Sequence, residues 1–103
     1  MDKQKIDLIL DRLLEQTESG KLEWKETSDK DTYLLTLKDS SISLTRVVTD
    51  IAFICRFRNS NGETVEEIIA TYGNQYFDNT KKLFDIIHQT DSTIDSILEQ
   101  LAA

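Results

Sequence analysis

The sequence predicts an α+β fold in the order helix, antiparallel meander of four to five strands, long helix, with both helices on one face of the sheet. Three observations carry this expectation. A 3.6-period apolar stripe covers residues 4–19, the period changes to two from Lys21, and helical spacing returns after residue 76. A sheet with one apolar face needs a cover, and two amphipathic helices supply it. With 103 residues the chain has room for a single domain, 1–103, and one core.

In the first element, Ile6, Ile9, Leu10, Leu13, Leu14 and Thr17 share a helical face, with Asp7, Asp11, Glu15 and Glu18 mostly opposite. Gly20 stands where a helix C-terminus wants a residue tolerant of positive φ. Leu22 and Trp24 then alternate with Glu23 and Lys25. The runs 33–37, 42–45 and 51–57 follow across short polar breaks, giving four strands. Asn61-Gly62 predicts a hairpin, because both residues accept positive φ, and therefore a fifth strand over 63–70. Val65, Ile68, Ile69 and Tyr72 also fit a helical face, so helix remains the alternative for that segment. The sheet side of the core is expected from Leu22, Trp24, Leu35, Leu37, Ile42, Leu44, Phe53, Cys55 and Phe57.

In the last third, Tyr76, Thr80, Leu83, Ile87, Thr90, Ile94, Ile97 and Leu101 step alternately by four and three. That seam predicts one helix of roughly 24 residues with a weak point around Gln89–Ser92, and Ser92 with Asp95 offers an alternative cap for a second helix. The string Thr17-x-x-Gly20-Lys21-Leu22-x-Trp24, with Tyr33, Ile42-x-Leu44 and Asn61-Gly62, resembles a helix–meander–helix pattern of small uncharacterised bacterial proteins. The resemblance covers most of the chain and implies the fold and a bacterial origin, but no named family and no activity.

The formal charge of −7 is placed unevenly. Residues 1–58 hold 11 acidic and 10 basic side chains, whereas 59–103 hold 8 and 2. An acidic surface repels nucleic acid and anionic membranes and favours a basic protein partner, although net charge also serves solubility. The opening residues run straight into the first amphipathic segment without a signal-like apolar stretch, and no run is long enough to span a membrane. The expected location is cytoplasmic.

The residues of ordinary catalysis are sparse. Cys55 is the one cysteine and His88 the one histidine, and Cys55 falls on the strand face expected to be buried, where a thiolate is disfavoured. No Gly-x-Ser-x-Gly elbow and no glycine-rich phosphate loop can be drawn. No catalytic residue and no cofactor is therefore expected. The sharpest metal idea places His88, Asp91, Asp95 and Glu99 along one side of the last helix, which also reads as a plain wet face. Arg46, Arg56 and Arg58 could form a basic patch on the outer sheet face for nucleic acid, or pair with glutamates across strands.

One feature exceeds what a single sheet contact requires. Phe77 and Phe84, with His88 on the same side, lie off the seam of the last helix. Either the first helix covers them or a partner does. The leading expectation is a non-enzymatic protein-binding regulator, adaptor or immunity-type module. It would act through its last helix, with Phe77, Phe84, His88, Asp91 and Asp95 as the partner surface. The partner would be another protein, a basic one by charge, with a homodimer as a further option.

Overall fold

The computed structural model describes residues 3–48, 51–90 and 93–102. Helix α1 (Lys3–Glu18) is followed by strands β1 (Lys25–Glu26), β2 (Thr32–Thr36), β3 (Ser41–Val48), β4 (Ala52–Arg58) and β5 (Thr64–Thr71). Helices α2 (Phe77–Thr90) and α3 (Thr93–Ala102) complete the chain. The strands form one antiparallel sheet in sequence order, so the expected α+β meander is present.

Helix α1 ends as its glycine requires. Gly20 has φ +78°. Its N–H donates to the Thr17 carbonyl, and the Lys21 N–H donates to that of Gln16, the paired bonds of a Schellman motif. Thr17 is buried, and its Oγ1 accepts a 3.1 Å bond from the Trp24 indole. This bond explains why the strand expected around Leu22 and Trp24 contracts to two residues. The two side chains turn to close the end of the core against α1 and are only partly buried, and pairing with β2 begins at Lys25.

The inner sheet face follows the alternation. Tyr33 and Leu35, Ile42 and Leu44, Phe53, Cys55 and Phe57, and Ile68 and Ala70 are all buried. Leu37, expected among them, is 39% exposed because β2 stops at Thr36 and the Leu37 N–H already bonds to Ser40 across the turn. The β5 segment is strand rather than helix, paired with β4 from Ala52↔Thr71 to Arg58↔Thr64. Its turn is longer than the two-residue hairpin expected at Asn61-Gly62. Asn59 Oδ1 accepts the N–H groups of Asn61 and Glu63, and of the two turn residues only Gly62 has positive φ. Asparagine thus acts here through its side-chain oxygen at position 59.

Helix α2 crosses the sheet, with Phe77 beside Phe53 at one end and His88 beside Tyr33 at the other. Asn74 Oδ1 accepts the Tyr76 N–H just before it begins. Five strands roughly 4.8 Å apart span about 19 Å, and the 14 residues of α2 cover about 21 Å. One helix of this length, flanked by α1, therefore covers the inner face. The last third is helical as expected, described as α2 and α3; the continuity of the seam's single helix between them, like the Ser92 cap, lies outside the described residues.

Candidate functional site

Phe77 and Phe84 are 6% and 1% exposed, which removes both from the expected partner surface. They face the sheet: Phe84 lies 5.4 Å from Phe53 and 5.5 Å edge-on to Tyr33, and Phe77 lies 5.9 Å from Phe53. Thr80, Leu83 and Ile87 on the seam are buried as well, with α1 packed alongside. Two adjoining sides of α2 are covered, and the chain itself supplies both covers.

His88 is exposed but tied down. Its ring stacks on Phe84 at 5.9 Å and 15°, and its Nδ1 lies 2.9 Å from the Tyr33 hydroxyl. Beneath it, Arg46 places its guanidinium 5.0 Å from the Phe84 ring centre and 3.3 Å from Asp31. The cleft above this corner, about 250 Å³, is lined by Glu26, Asp29, Asp31, Tyr33 and His88 among others. Among the described residues, no three histidine, cysteine or acidic side chains converge to hold a metal ion. Asp91 lies outside the described residues, and of Asp95 only its place in α3 is described.

The three arginines do not form one patch. Arg46 pairs in register with Phe53, which puts it on the inner, helix-covered face. Arg56 and Arg58 point outward. Arg56 is bound to Glu67 at 2.7 Å, and Arg58 donates to Ser43 Oγ at 3.1 Å. The cross-strand pairing that β4 and β5 impose thus takes up the charge of Arg56. Cys55, fully buried between Leu44 and Ile68, has its thiol pushed up to about 12 by burial, so it is no nucleophile in the folded chain.

Exposed apolar side chains remain among the described residues. On α3, Ile97, Leu98 and Leu101 are 46%, 60% and 78% exposed, and every side chain described on that helix is exposed. The sequence reading assigned Ile97 and Leu101 to a core seam, because the heptad spacing runs on unbroken past Thr90. The signal against that lay in the width of the sheet, which α2 already fills. A second apolar surface is an open groove of about 320 Å³ beside α1, lined by Leu8, Ile9, Arg12, Leu13, Leu22 and Leu37 among others. Among the described residues, no helix is long and apolar enough to cross a membrane.

No protein-family model, curated protein or solved structure matches this chain. The resemblance to small bacterial proteins gains no support there.

Proposed function

We propose that this chain is a non-enzymatic protein-binding module, a small regulator or adaptor, whose working element is α3. One observation carries the reading: Ile97, Leu98 and Leu101 stand exposed on a helix that the core does not use. Isolated ten-residue helices are marginal in water, so such a face gains most when something packs on it. The acidic Glu99 beside it would steer and orient a basic counterpart. A photo-crosslinker at Leu101, used in extract of the source cell, tests the reading. A discrete protein adduct that disappears with Ile97→Asp supports it. No adduct, or one indifferent to Ile97→Asp, overturns it.

The other readings weaken on geometry. A sheet-face nucleic-acid site would have to work without Arg46, from Arg56, Arg58 and Lys30 along one outer cleft that also holds Asp29, with Arg56 already bound to Glu67. A metal site at His88 would need further ligands at its Nε2, and among the described residues no group of three histidine, cysteine or acidic side chains could hold an ion.

A further inference from the structure

Among the exposed apolar side chains of the described residues, those of α3 form a helix face and those beside α1 line a groove, and the two complement each other. We infer that α3 of one copy docks into the groove beside α1 of a second copy, and that the exchange is reciprocal, giving a two-fold dimer. This rests on the reading of α3 as the binding element and names its partner as a second copy of this chain.

The match begins with the helix. At 100° per residue, Ile97, Leu98 and Leu101 fall within one sector of α3, with Glu99 on one flank and Gln100 on the other. Among the side chains described, the helix therefore has an apolar face with one acidic and one uncharged polar side. It holds no basic residue.

The groove answers each part. Its floor is Ile9, Leu13, Leu22 and Ile42, with Leu8 and Leu37 exposed at its rim. Along the α1 wall, Arg12 lines the groove, and Lys5, seven residues earlier, lies on the same side of that helix. The adjoining cleft that shares Leu22 and Leu37 is bordered by Lys21, Glu23 and Lys25. Of the α1 carboxylates, Asp7, Asp11 and Glu18 lie toward its other side, where Glu18 reaches Lys82 of α2, and Glu15 falls beside Leu8 at the groove's edge. An apolar helix that carries Glu99, entering an apolar groove that carries Arg12, is the helix-in-groove mode of recognition. Charge then selects the direction of entry.

Reciprocity supplies the area. A stable interface buries roughly 1,600 Å² in total, and one short helix in one groove falls well below that. In a two-fold exchange the contact is made twice, so about 400 Å² on each of four faces is enough. An open head-to-tail chain would make the same contact once per copy and continue into filaments.

Sedimentation equilibrium on the full chain tests the inference. The expected mass is twice 11.9 kDa at micromolar concentration. Leu101→Asp and Leu8→Asp, both at exposed positions, should each give folded monomers by circular dichroism. Mixing these two variants restores one intact contact, and a heterodimer at least tenfold weaker than wild type is expected. Arg12→Glu should weaken the dimer and Glu99→Lys on the same chain should recover it. A wild-type monomer at 100 micromolar overturns the inference and leaves the α3 reading standing. A dimer lost with Leu101→Asp but kept with Leu8→Asp also overturns it, in favour of α3 pairing with itself. A dimer indifferent to both variants overturns the docking and removes α3 from self-association altogether.

Discussion

Thr80 lies fully buried in α2, and its hydroxyl has no hydrogen-bond partner. An unpaired buried hydroxyl costs about 1–3 kcal/mol, and valine has the same branched shape. Thr80→Val is expected to stabilise the fold by about 1 kcal/mol in urea denaturation; a loss of stability would show that the hydroxyl is paired in solution. Cys55 gives a pH signature. Its thiol is raised from 9.0 to about 12 in the fold, so above pH 9 the unfolded chain releases a proton that the folded chain keeps. Stability must therefore fall as pH rises through that window, by about 1.4 kcal/mol per pH unit from this one group. Cys55→Ala should lose stability at pH 7 from the small cavity yet decline less steeply between pH 9 and 10.5, and parallel slopes would count against the burial account. The two arginine pairs should differ as well. Arg46–Asp31 has side chains 21% and 27% exposed and sits over the Phe84 ring, whereas Arg56–Glu67 is 36% and 39% exposed. Double-mutant cycles are expected to give a coupling of about 1 kcal/mol or more for the first and about 0.5 kcal/mol or less for the second.

At the scale of the element, α3 is separable from the core. None of its described side chains is buried, so ending the chain after Thr90 should leave unfolding free energy within about 1 kcal/mol of the full protein. Compared at concentrations where the full protein is monomeric, a larger loss would mean that α3 packs on its own body in solution. The same element marks where sequence reading stopped working. Periodicity alone located α1, its glycine stop, four of the five strands and the helical last third, because each has a clean 3.6 or 2.0 repeat and a chemical reason to end. It could not say what each repeat packs against. Phe77 and Phe84 looked superfluous on a wheel viewed alone, yet they are the side chains that meet Phe53 and Tyr33. Ile97 and Leu101 looked like core because they continue the spacing of Leu83 and Ile87. Arg46 was placed on the wrong face for a related reason: β3 keeps its alternation through Ile42, Leu44 and Arg46, and the inward position is held by a cation rather than an apolar side chain. Such a position is decided by Asp31 and Phe84, neither adjacent to it in sequence.

For the whole molecule, the meander leaves two sheet edges, and they are unequal. The β1 edge is two residues long, with Lys25 and Glu26 both exposed, so it offers little to an incoming strand. The β5 edge is eight residues long, and Val65 and Ile69 are 57% and 54% exposed along it. At neutral pH the net charge of −7, together with Glu63, Glu66 and Glu67 on or beside β5, keeps one β5 edge from pairing with another. Near the isoelectric point of about 4.6 that repulsion vanishes while the strand remains. Gentle heating at pH 4.6 is therefore expected to produce sheet-rich aggregates templated on β5, followed by thioflavin fluorescence. Ile69→Lys should suppress them while changing stability at pH 7 by no more than about 0.5 kcal/mol, as expected for an exposed site. Asn61→Lys, in the β4–β5 turn, adds the same charge away from the strand and serves as the control. Equal suppression by both variants would assign the protection to net charge alone. Suppression by Ile69→Lys only would identify the β5 edge as the surface whose exposure the acidic charge guards.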